Sequence, residues 1–84
     1  MTTRTAAGLV WTPDRNGAWR AEDFDGIYKL VEWAPGQWMD FFWQHVEGCA
    51  DAQPAKGGRD WPDFDTAADE IVRLAKAERR GRTY

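Results

Sequence analysis

The single histidine, His45, and the single cysteine, Cys49, stand four residues apart and are the closest approach in this chain to a reactive pair. A general base needs an orienting group and a nucleophile within hydrogen-bond reach, and a zinc site needs three or four ligands. His45-x-x-x-Cys49 offers two ligands, with no second pair to complete a site. It is read as a strand-end imidazole and a loop thiol. Carboxylates are abundant, but Asp23, Asp25, Glu32 and Asp40 are spread over a sheet and its turns, and abundance does not make the close acid–base pair that hydrolysis requires. Gly57-Gly58-Arg59 lacks the strand–loop–helix setting and spacing of a phosphate loop. These residue types therefore predict no enzyme, no metal and no cofactor.

The chemistry left is recognition. Residues 1–70 carry 6 Lys/Arg against 13 Asp/Glu, whereas residues 71–84 carry 5 basic residues against Glu78 alone. The basic cluster, Arg73, Lys76, Arg79, Arg80 and Arg82, is the candidate nucleic-acid surface, and exposed rings on a sheet could stack on bases. Against that reading, no RNP-like signature is present, and Glu22, Asp23, Glu32 and Asp40 on the sheet would repel phosphate. Dipole complementation at a helix C-terminus already accounts for the basic residues. An acidic body suits a protein partner with a basic face.

One cysteine excludes an internal disulfide and fits a reducing cytosol. No apolar run approaches the roughly 20 residues of a membrane span. Met1 to Gly8 has no h-region, which predicts neither signal nor transit peptide. The expectation is a cytoplasmic protein. Eighty-four residues make one small domain, stabilised by bulk: six Trp, four Phe and two Tyr, each able to bury roughly 150–250 Å².

The elements that must position these residues read as an antiparallel meander of three to four strands over about 8–46, an irregular loop over 47–63, and a helix over about 66–80. The fold class is α+β, with the helix packed on one face. Gly8–Thr12 is a first strand with Leu9 and Trp11 on one face. Pro13-Asp14-Arg15-Asn16-Gly17 is a turn. Trp19–Trp33 is a hairpin about Asp25-Gly26, a pair suited to a type I′ turn. Pro35-Gly36 sits at the middle of a type II turn, and Trp38 to Val46 is the fourth strand. Glu47–Trp61 has no periodicity and contains Gly48, Pro54, Gly57 and Gly58. It is either a mobile arm or a cover for the second sheet face, anchored by Trp61. Thr66 is the expected N-cap, with Asp69 three residues on and Phe64 as a staple. Ala68, Ile71, Val72 and Ala75 recur at helical spacing, and Gly81 ends the helix.

Alternation then divides the hairpin. Trp11, Trp19, Ala21, Tyr28 and Leu30 face the helix. Ile27, Val31, Trp33, Phe41 and Trp43 lie on the other side. An apolar surplus of that kind usually marks an interface, and Trp and Tyr dominate interface hot spots. The expected contact surface is that apolar set together with Glu22, Asp23, Glu32 and Asp40. A second copy, giving a sheet-to-sheet dimer, is the alternative occupant.

The run Leu9-x-Trp11, Gly17-x-Trp19-x-Ala21, Gly26-x-Tyr28-x-Leu30, Trp38 and Phe64-Asp65-Thr66-Ala67-Ala68 resembles small single-domain proteins of phages and mobile elements. The likeness spans most of the chain except Glu47–Trp61. It rests on turn glycines, core aromatics and a helix start, so it bears on fold more than on function. Some proteins of that group inhibit host defence, including CRISPR effector complexes. The resemblance thus implies a non-enzymatic, anti-CRISPR-like inhibitor in the host cytoplasm, binding a host defence nucleoprotein complex through an acidic and aromatic sheet surface.

Overall fold

A computed structural model describes residues 2–45, 48 and 50–80. Its architecture is α+β. Among the described residues six antiparallel strands run in sequential order, β1 (Arg4–Ala6), β2 (Leu9–Pro13), β3 (Ala18–Glu22), β4 (Gly26–Ala34), β5 (Gln37–Gln44) and β6 (Gln53–Trp61), followed by one helix, α1 (Phe64–Arg80). The class and the meander agree with expectation. The strand count does not, because the sheet gains a strand at each edge.

At the first edge, β1 pairs with β2 through Ala6↔Leu9. The two residues between them, Ala7 and Gly8, have φ of 53° and 77°. Positive φ at both central positions is the requirement of a type I′ hairpin, and it is met here rather than at Asp25-Gly26. In that second turn neither central residue adopts positive φ, and Gly26 begins β4. The reversal is made instead by Asp23, whose Oδ1 accepts from the amides of Asp25 (2.9 Å) and Gly26 (3.3 Å). Gly26 is required for a different reason: a Cβ there would lie 2.1 Å from the Trp43 carbonyl oxygen. The Pro35-Gly36 turn is as expected, with Gly36 at φ 73°, and Asp14 caps a 3₁₀ turn over Arg15–Gly17.

At the other edge, most of the expected irregular loop is β6. It pairs with β5 along its length, Trp38↔Trp61 through Gln44↔Gln53, with two register shifts. Gly58 and Arg59 stand opposite the single residue Asp40, and Ala55 is extra between Lys56 and Pro54. Each bulge inserts a residue and breaks the alternation. Pro54 is tolerated because β6 is an edge strand.

Aromatics fill the space between sheet and helix. Trp11, Tyr28, Leu30, Phe42, Phe64, Ala67, Ala68 and Ile71 are buried there, with Trp19 and Trp61 packed against them. Phe64 is the hub, meeting Trp11, Trp19 and Trp38 edge-on at centroid distances of 5.6, 5.8 and 5.3 Å, the arrangement favoured by ring quadrupoles. Small residues at 67, 68 and 75 let α1 lie close to those rings. The helix begins two residues earlier than expected. Asp63, not Thr66, is the cap: its Oδ1 accepts from the Thr66 amide at 2.7 Å, which holds the Asp63 carboxyl below the usual range. Gly81, the expected terminator, lies outside the described residues, as does Val46.

Candidate functional site: the outer sheet face

The helix covers one face of the sheet, and the inner face uses several residues that the sequence places at the surface. Asp40 is fully buried. Its carboxylate accepts from the Arg59 amide (2.9 Å), the Arg59 guanidinium (3.0 Å) and the Trp61 indole (2.8 Å). The bulge at Gly58-Arg59 aims these donors. Gly57 sits at φ 135°, and a Cβ there would fall 2.5 Å from the Asp40 carbonyl oxygen. Asp40 is therefore a structural acceptor rather than a docking charge, because a carboxylate with three donors is satisfied internally. Gly57-Gly58-Arg59 builds that network.

Asp23 is likewise turned inward. Lys76 of α1 bonds to Asp23 (2.8 Å) and to Asp25, and the Tyr28 hydroxyl reaches both Asp23 oxygens at 3.1 Å. Burial alone would raise the Asp23 carboxyl, but hydrogen bonds from Lys76, the Asp25 amide and Tyr28 outweigh it and hold it low. Burial opposes the charge on Lys76 too, yet its two carboxylate partners raise it. Tyr28 is pushed strongly upward by burial first and by the Asp23 charge second. Lys76, expected in a nucleic-acid surface, instead ties α1 to the β3–β4 turn.

The outer face is built by the opposite set of side chains. Cross-strand register arranges them in rows: Glu22, Ile27 and Trp43; then Arg20, Lys29 and Phe41; then Ala18, Val31 and Met39. Ile27, Val31, Met39, Phe41 and Trp43 are each half-buried, and no described element crosses them. Phe41 and Trp43 lie side by side, 6.1 Å between centroids. Trp33 is 52% exposed. Its indole reaches over β5 to the Asp60 carboxylate, 2.8 Å away. The apolar residues expected on this face are thus together on it.

Of the four acidic residues expected with them, Glu22 alone is in these rows. It contacts Arg20 at 3.3 Å and His45 Nε2 at 3.1 Å. Glu32 pairs with Trp38 and so belongs to the helix side, at the β4–β5 turn, where it accepts from the Gly36 amide.

Two cations that sequence reasoning passed over also lie here. Arg20 and Lys29 face each other across β3 and β4. Lys29 bonds to Asp14 at 3.0 Å and has its Nζ 5.9 Å from the centre of the Trp43 ring. With Ile27, Trp43, Asp51 and Ala52 they line an open groove of about 320 Å³. Alternation around Trp19–Arg20 and Ile27–Lys29 was the signal for this pair. The segment at Asp51-Ala52 thus borders the outer face, while β6 extends the sheet rather than covering it. On the inner side Arg4 was also overlooked: its guanidinium carbon lies 3.8 Å from the centre of the Phe64 ring and 5.3 Å from that of Trp19.

Of the remaining candidates, Arg73 pairs with Glu70 on the exposed side of α1. The side chains of Arg79 and Arg80, and all of Arg82 and Cys49, lie outside the described residues. Among the described residues no group of three or more His, Cys, Asp or Glu could hold a metal ion, and no helix is long and apolar enough to cross a membrane. No family model, no curated protein and no solved structure matches the chain.

Proposed function

We propose that this protein is a non-enzymatic interaction module that docks a protein partner on the outer face of its sheet. One observation carries the reading: Ile27, Val31, Phe41 and Trp43 share one sheet face and are half-buried on it, while α1 is committed to the opposite face. Apolar side chains gathered on a sheet face that no described element covers usually mark an interface. Trp33 at its end supplies a large ring that already spans two strands. Glu22 within the face supplies the acidic contact, Glu32 lies on the helix side at the β4–β5 turn, and Asp23 and Asp40 support the framework. The resemblance to phage and mobile-element proteins makes a host defence nucleoprotein complex the first partner to test, with the protein acting as its inhibitor.

The experiment is a titration of purified protein into a CRISPR effector cleavage assay, beside its Trp33→Ala and Phe41→Ser variants. Inhibition by the parent that both variants lose, at unchanged melting temperature, supports the reading. Equal inhibition by all three would remove the outer face from the interface. A concentration-dependent doubling of mass in light scattering, abolished by Phe41→Ser, would make the partner a second copy.

A further inference from the structure

We propose that the outer-face groove binds a small aromatic anion of the nucleoside monophosphate class, with its ring stacked on Trp43 and its phosphate held between Arg20 and Lys29. Arg20 and Lys29 are in direct cross-strand register, and like charges so placed oppose each other. An anion between them turns that repulsion into attraction. The carboxylates now beside them, Glu22 at 3.3 Å from Arg20 and Asp14 at 3.0 Å from Lys29, sit in part-exposed ion pairs, which are weak in water. A phosphate can accept from both cations at once, through charge-assisted bonds that are shorter and stronger than neutral ones.

The ring site is adjacent. Trp43 lines the same groove, and Lys29 Nζ lies over its ring, 5.9 Å from the centre, a weak exposed contact that a stacked ring would replace while Lys29 turns to the phosphate. Ile27, paired with Trp43, gives an apolar floor. A volume of about 320 Å³ is at the lower end of small-molecule sites and suits one ring with one phosphate. A polynucleotide is disfavoured: the chain carries a net charge of −3, and the groove offers two cations, Arg20 and Lys29, enough for one phosphate. This inference does not rest on the protein-docking reading, since it concerns the purified chain alone.

The test is a titration of the full chain with adenosine 5′-monophosphate at low salt, followed by tryptophan fluorescence and calorimetry. Adenosine, inorganic phosphate and a ten-nucleotide oligothymidylate serve as comparison ligands. Expected is saturable binding with fluorescence quenching, about tenfold weaker for adenosine, which lacks the charged acceptor. Arg20→Gln and Lys29→Gln should each weaken binding about tenfold without lowering the melting temperature, and Trp43→Leu should remove the quench. Glu22→Gln should tighten binding severalfold by freeing Arg20, an effect opposite in sign to simple damage. Absence of saturable binding up to about 10 mM, roughly tenfold above a millimolar dissociation constant, would overturn the proposal. So would binding unaffected by Arg20→Gln and Lys29→Gln, or phosphate alone binding as tightly as the nucleotide. Much tighter binding of the oligonucleotide, with a salt slope of several units, would replace it with a nucleic-acid surface.

Discussion

Asp40 shows how one side chain can be misjudged by type. A carboxylate on an otherwise aromatic strand suggests a surface charge, yet it accepts three hydrogen bonds from Arg59 and Trp61 while fully buried. Its loss strands a guanidinium, an amide and an indole N–H together, and removing one partner of a buried charge pair is strongly destabilising. Asp40→Ala is expected to cost roughly 3 kcal/mol in urea denaturation, and Asp40→Asn less, because one acceptor oxygen remains. Arg59→Ala should cost less than Asp40→Ala, since the guanidinium is 37% exposed and its loss leaves the amide and indole contacts in place. An Asp40→Ala variant as stable as the parent would remove the network from the account of β6.

At the scale of elements, the join between α1 and the β3–β4 turn is ionic and should show in the pH dependence of stability. The Asp23 carboxyl is depressed below 3.8, so its contribution is present above that value and is lost as pH falls through the folded value. Lys76 is raised above 10.5 and Tyr28 above 10.0. Their contributions are complete below those values and are lost as pH rises beyond them. Thermal midpoints should therefore be level between about pH 5 and 9 and fall on both sides. Lys76→Met is expected to flatten the alkaline limb by about one proton. It should leave part of the acid limb, because Asp14 and Asp63 are also depressed. An alkaline limb unchanged in that variant would count against the join. The helix start gives a second prediction at this scale. Asp63→Ala should lower stability as the loss of an N-cap, and by more than Thr66→Ala; the reverse order in denaturant melts would restore Thr66 as the cap.

For the whole molecule the two faces should separate stability from association. Trp19 packs on Phe64 at 5.8 Å, so Trp19→Ala should cost roughly 3 kcal/mol and leave any surviving folded protein competent to bind. Trp33 is 52% exposed, so Trp33→Ala should weaken association more than it lowers the melting temperature. A Trp33→Ala variant as unstable as Trp19→Ala would make Trp33 part of the framework. Charge should act through the rim. Glu22→Lys is expected to slow association with a basic partner and to reduce its salt dependence, and Glu32→Lys, on the helix side, to do so less. The same reversal at Asp23 or Asp40 should unfold the chain first, which a parallel melting series would distinguish.

Periodicity in the sequence alone determined the meander from Leu9 to Gln44, the split of its side chains between two faces, and the apolar stripe of the helix. Those are local consequences of a two-residue and a 3.6-residue repeat, and they survive any change in what surrounds them. The same alternation brings Ile27, Val31, Phe41 and Trp43 to one face. The two edge strands were decided by tertiary pairing. Arg-Thr-Ala is too short to show a repeat, and Gln53–Trp61 has its repeat interrupted by two bulges and its composition weakened by Pro54, Gly57 and Gly58, so only hydrogen bonding to β2 and β5 makes them strands. Which carboxylates and cations are spent inside was also beyond local reading. Asp40 meets Arg59 across 19 residues and Lys76 meets Asp23 across 53. A charge counts as surface or framework only once the chain has placed its partner.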